Sequence, residues 1–164
     1  DLLKMIFINI FFTLLLLYIL YSISIEDIST MLISEKKLLF FGISGIIYLI
    51  FFCLSIEKIN IYDLILNKLS YMLIIFIMMY SIGIISYTFY GKKALGIGDI
   101  KLASISTIWI SNELSFISLY ISFFISAIYS LHGRFNRKLK PLQQYPFAPF
   151  LSIGILCSWI IDKI

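Results

Sequence analysis

The stretch KMIFINIFFTLLLLYILYSISI, residues 4–25, contains one charged residue, Lys4, and is otherwise almost wholly apolar. A helix needs about 20 mostly apolar residues to cross a bilayer, and this run is long enough. Working outward from it, further apolar runs follow at 38–54, 71–90, 99–111, 115–132 and 146–161. The 164-residue chain is 61% hydrophobic and 13% charged, with a mean hydropathy of +1.02. A soluble domain of this size needs much more polar surface, so the apolar excess must face lipid. Unpaired backbone groups are costly there, which makes the runs helices rather than isolated strands. The expected fold is therefore all-α: a polytopic transmembrane bundle of about six spanning helices, with residues 1–164 forming one membrane domain.

Between the second and third runs, residues 55–70 mix charged and apolar residues at near-helical spacing, and read as an amphipathic connector at the membrane surface. The fourth run is short and carries Ser104, Ser106 and Thr107. It is expected to be shielded by other helices, with a re-entrant segment as the alternative. In the fifth run Ser115, Ser118, Ser122, Ser126 and Ser130 recur every three or four residues. That places them on one helix face, a pattern that lets membrane helices approach closely. Gly42 with Gly45, and Gly83 with Ser86, read as similar notches. Cys53 and Cys157 lie in apolar runs and read as small buried hydrophobes rather than a redox pair.

The formal charge of +4 does not point to nucleic acid, because the basic residues sit between apolar runs. Loops 26–37, 91–101 and 133–145 hold Lys36, Lys37, Lys92, Lys93, Lys101, Arg134, Arg137, Lys138 and Lys140; the opposite side holds Lys4, Lys58, Lys68 and Lys163. Nine against four puts the three loops in the cytoplasm and both ends of the sequence outside.

Two aspartates, Asp27 and Asp99, then fall at the cytoplasmic ends of apolar segments. Ionisable residues so placed are functional candidates, although Asp99 alone also suits a helix N-terminus. Around it the sequence reads Ala94-Leu95-Gly96-Ile97-Gly98-Asp99-Ile100-Lys101-Leu102. Two glycines just before the acid permit close backbone approach and unusual dihedrals. A phosphate-binding turn would need a βαβ unit around the glycines, which this chain lacks. Two carboxylates brought together can share one proton, so that one activates water while the other polarises a carbonyl. Such chemistry needs no metal, no cofactor and no nucleophilic side chain. The single histidine, His132, has no nearby Cys or acidic partner and reads as interfacial.

Gly96–Leu102, GIGDIKL, resembles the GxGD motif of type IV prepilin peptidases and their archaeal preflagellin relatives. Asp27-Ile28-Ser29-Thr30-Met31-Leu32-Ile33 resembles that family's first aspartate motif. Trp109 stands where many bacterial members carry Trp, and Pro146-Phe147-Ala148-Pro149-Phe150-Leu151 resembles the PFGPFL element opening their last helix. Members usually have Pro where this chain has Ser34, Asn or Asp where it has Glu35, and Gly where it has Ala148. The resemblance implies an aspartyl endopeptidase with Asp27 and Asp99 as the catalytic pair and Gly96 and Gly98 as supporting motif residues. Its implied substrate is a prepilin or pseudopilin whose basic leader is removed at the cytoplasmic face of the inner membrane. Lys101 and Glu26 are candidate substrate contacts, each weighed against a simple interfacial role; the arginine and lysine cluster at 134–140 reads as a topology anchor. Many members also carry an N-terminal zinc-binding domain linked to N-methylation. This sequence contains no counterpart, so methyltransferase activity is not expected from it. A preflagellin-type or other GxGD protease is the nearest alternative, and a non-catalytic transporter or assembly protein the alternative of another class.

Overall fold

The computed structural model describes residues 2–55, 61–91, 94–136 and 143–163. Among them every regular element is a helix: α1 (Leu2–Thr30), α2 (Glu35–Ser55), α3 (Ile61–Tyr90), α4 (Ile97–Ser106), α5 (Asn112–Phe135) and α6 (Ala148–Lys163). The six helices correspond to the six apolar runs. Four of them, α1, α2, α3 and α5, are long and apolar enough to cross a membrane. The other two fall short of that length. At about 1.5 Å per residue, α4 extends only about 15 Å, half a hydrocarbon layer.

Boundaries differ from the hydropathy reading mainly at polar ends. Helix α1 continues past Ile25 through Asp27 to Thr30, because Ser29 and Thr30 fold their hydroxyls back onto the Glu26 carbonyl at 2.9 and 2.8 Å. The amphipathic connector is also different: its described part, from Ile61 on, is the first third of α3 rather than a separate surface helix. Residues 56–60 lie outside the described residues. Helix α3 ends at Gly91, whose φ of +65° suits a residue without Cβ, and its amide bonds the Tyr87 carbonyl at 2.8 Å.

Large apolar side chains such as Phe7, Phe11, Leu39, Ile77, Tyr120 and Phe124 are exposed along the outsides of the long helices. A patch this extensive is untenable in water and is accounted for by lipid. The short α4 packs against α2, α3 and α6. Asp99, Ile100, Leu102, Ala103, Ser104 and Ser106 are all buried, so the short run is shielded by its neighbours, as its serines required.

Just after α4, Trp109 ties three helices together. Its ring stacks on Phe41 and Tyr48 of α2, meets Trp159 of α6 edge-on, and its indole N–H donates to the Phe41 carbonyl at 3.0 Å. Gly45 makes room for this: a Cβ there would lie 2.7 Å from the indole nitrogen. The serine stripe likewise serves packing. Ser115, Ser118, Ser122 and Ser126 are buried, and Gly154 of α6 sits so close that an added Cβ would be 2.3 Å from the Ser118 carbonyl oxygen. Gly83 is different. Among the described residues a Cβ there would meet nothing within 4 Å, so Gly83 does not form the expected notch with Ser86. Cys53 and Cys157 are half-buried free thiols, and His132 is exposed, within 2.8 Å of the Asn136 amide nitrogen.

Candidate active site

The two aspartates arrive from different helices at the same end of the bundle. Asp27 lies one turn before the end of α1, and only 4% of it is exposed. Helix α1 then stops in a left-handed residue, Met31 at φ +54°, whose amide bonds the Asp27 carbonyl at 2.8 Å. A non-glycine residue in this region carries backbone strain of roughly 1–2 kcal/mol. The corner is closed by Glu26 and Lys37. Glu26 Oε2 accepts the Ser34 amide at 3.3 Å and pairs with Lys37 Nζ at 3.3 Å, while Lys37 also donates to the Ser22 carbonyl at 2.7 Å.

The Asp27 carboxylate faces the N-terminus of α6. Its Oδ2 accepts the Ala148 amide at 2.9 Å. The first amides of a helix have no partner within the helix, and a carboxylate is the natural acceptor for them. Pro149, next in line, has no amide to satisfy. Thus the proline-containing element at 146–151, which the sequence shows as the opening of a helix, supplies a backbone donor to Asp27.

Asp99 occupies the first turn of α4, buried to 9% exposure. Its Oδ2 accepts the Gly96 amide at 3.3 Å, which caps the helix from within. Its Oδ1 is buried and has no hydrogen-bond partner among the described residues. Such an atom costs stability unless something else uses it. The two carboxylates lie at the same end of the bundle, where α4 approaches the loop that follows α1 at Gly98 and Ile33. The rim beside them is open: Ile28, Met31, Leu32 and Ile97 are all well exposed.

The glycines of the motif have separate reasons, and unusual dihedrals are not among them. Gly96 is in ordinary extended backbone, φ −74° and ψ 152°. A Cβ on it would lie 3.2 Å from Asp99 Oδ2, crowding the carboxylate. A Cβ on Gly98 would lie 3.1 Å from the Ile33 Cβ, so Gly98 lets α4 press against the loop that follows α1. The motif therefore brings the second aspartate up to the turn that ends the first aspartate's helix.

The other two candidates are engaged elsewhere. Lys101 is ion-paired to Glu35 at the start of α2, and Glu26 is committed to Ser34 and Lys37. Neither points a free group at the aspartates. Ser34 is informative as a departure from the family pattern, since its amide serves Glu26 and proline would have none to give. Among the described residues no group of three or more His, Cys, Asp or Glu could hold a metal.

Comparison with curated proteins and with solved structures returned no match. A family model, the type IV leader peptidase family, does match, over residues 10–131. The matched region contains both aspartates, the motif glycines and Trp109, and it covers most of the chain. This chain belongs to the type IV leader peptidase family.

Proposed function

We propose that this protein is an aspartyl endopeptidase that removes the basic leader of type IV prepilins or pseudopilins at the cytoplasmic face of the inner membrane. The observation that carries the reading is the pair itself. Two buried carboxylates from α1 and α4 share one end of the bundle, Asp27 on a helix N-terminus and Asp99 with one oxygen unpartnered. Family membership supports peptidase chemistry in general, and the excess of lysine and arginine in the loops at this end supports a cytoplasmic site.

Two adjacent carboxylates do not readily ionise together, so the working state has one proton between them. They titrate as a pair rather than as individuals. The ionised member takes a proton from water as the water oxygen bonds to the scissile carbonyl carbon. Its protonated partner donates to the carbonyl oxygen. Collapse of the tetrahedral intermediate breaks the carbon–nitrogen bond and passes a proton to the leaving nitrogen. The substrate's apolar helix would lie in the bilayer against the bundle and present the leader junction at the exposed rim of Ile28, Met31, Leu32 and Ile97.

The test is cleavage of a prepilin in membranes by wild type, Asp27→Asn and Asp99→Asn, with insertion of each variant checked. Asn preserves size and removes the titratable proton. Wild type should cleave and each single variant should not. Full-rate cleavage by either variant would make that aspartate structural and end the dyad assignment.

A further inference from the structure

At the end of α4 far from Asp99, a cavity of about 450 Å³ opens between α2, α3, α6 and the turn after α4. Its wall includes Lys68, which projects from α3 two turns beyond Ile61. A lysine near a membrane surface ordinarily extends its ammonium toward water. Lys68 turns inward instead. Its Nζ donates to the Thr107 carbonyl at 2.8 Å and also to the Ile110 carbonyl, both just past the C-terminus of α4. The neighbouring acid, Asp162, is occupied by Lys163 at 2.8 Å.

The carbonyls of Ser104, Ile105 and Ser106 are taken by amides of the turn that continues α4, and the Lys68 ammonium bonds the carbonyls that this turn presents at the negative dipole end of the helix, where a cation is favoured. In α4 the effect is unusually far-reaching because the helix is only ten residues long and carries Asp99 in its first turn. A short rod gripped at one end has its other end placed by that grip. Trp109 fixes the same turn sideways, through the Phe41 carbonyl; Lys68 supplies charge-assisted bonds to it from α3.

We propose that Lys68 is a positioning residue for Asp99, acting through α4 to set the depth and tilt at which that carboxylate meets Asp27. This rests on the dyad reading above, and the experiment separates the two. Lys68→Met keeps the length of the side chain and removes its donors; Lys68→Arg keeps charge and donors; Ser70→Ala, at an exposed position on the same helix, is the control. Cleavage kinetics are measured for each in membranes beside wild type and Asp99→Asn.

For Lys68→Met, kcat should fall about 10-fold to 100-fold, the scale of a small misplacement of a reacting group. KM should stay within about twofold, because substrate contacts are untouched. Lys68→Arg should recover much of kcat. An activity-independent readout comes from Asp27→Cys/Asp99→Cys in a Cys53→Ala/Cys157→Ala background, where the oxidative cross-linking rate reports the approach of the two positions. Adding Lys68→Met should slow that cross-link. Unchanged kcat, or an unchanged cross-linking rate, overturns the proposal. An inactive wild type, or an active Asp99→Asn, instead overturns the dyad reading beneath it. If Lys68→Met fails to insert, Lys68→Gln takes its place, with the same two readouts deciding.

Discussion

Gly154→Ala adds one methyl group to the tightest seam of the bundle. The new Cβ would be 2.1 Å from Ser122 Oγ and 2.3 Å from the Ser118 carbonyl oxygen. A carbon rests against a carbonyl oxygen at about 3.3–3.6 Å, so α6 must withdraw by about 1 Å. Ser122 can rotate aside, but the carbonyl belongs to the α5 backbone and cannot. Overpacking of this kind costs about 1–3 kcal/mol. The same withdrawal acts on the site, because Gly154 is less than two turns from Ala148. The Ala148 amide now bonds Asp27 at 2.9 Å, and a shift of that size would carry it beyond hydrogen-bond range. Thermal unfolding in detergent should show a lower midpoint for Gly154→Ala, and prepilin cleavage should slow in parallel. Adding Ser122→Ala should restore neither, since the backbone contact remains. Gly83→Ala, placed in open space within α3, should raise stability by about 0.5–1 kcal/mol and leave cleavage alone. Rescue of Gly154→Ala by Ser122→Ala, or a midpoint equal to wild type, would refute the argument that backbone contact sets the α5–α6 distance.

Gly98→Val should push Ile33 and the loop after α1 away from α4, lowering kcat for prepilin cleavage while membrane insertion stays normal. Trp109→Phe keeps the ring stack on Phe41 and Tyr48 but deletes the 3.0 Å indole bond, so it should lower stability by about 1–3 kcal/mol in a thermal melt. Breaking the Lys101–Glu35 pair with Glu35→Ala should change stability by less than about 1 kcal/mol, since both side chains are substantially exposed; a larger shift in the same melt would mean that the pair fixes the α2–α4 corner.

The number and type of helices were legible because hydropathy alone separates residues that lipid accepts from those it rejects. Where helices continued beyond the apolar run, hydropathy stopped short. At Glu26–Thr30 the chain turns polar while its hydrogen bonding stays helical, sustained by Ser29 and Thr30. The amphipathic stretch after Ile61 reads as a separate element for a related reason: a change in polarity resembles a boundary even when the backbone does not break. In the site, Asp27 and Asp99 could be named from their positions at segment ends and from the motif. The reasons for the motif glycines could not, because the atoms they accommodate, Ile33 and a carboxylate oxygen, are defined only in three dimensions. Nor could the commitments of Glu26 and Lys101 to Lys37 and Glu35, which depend on the angle at which helices meet. By sequence Lys68 reads as a topology charge; its partner, the Thr107 carbonyl, lies 39 positions away, and nothing local to Lys68 signals it.

The bond between Asp27 and the Ala148 amide joins residues 121 positions apart in the chain. During synthesis at about 5–20 residues per second, the ribosome needs roughly 6–24 seconds to pass from the first to the second. Throughout that interval Asp27 lacks the amide that will hold it. On the dyad reading, the newborn chain is therefore inert until α6 has been translated and docked. On the same reading, termination between Asp99 and α6 would yield a membrane fragment that carries both aspartates but lacks the amide that holds Asp27.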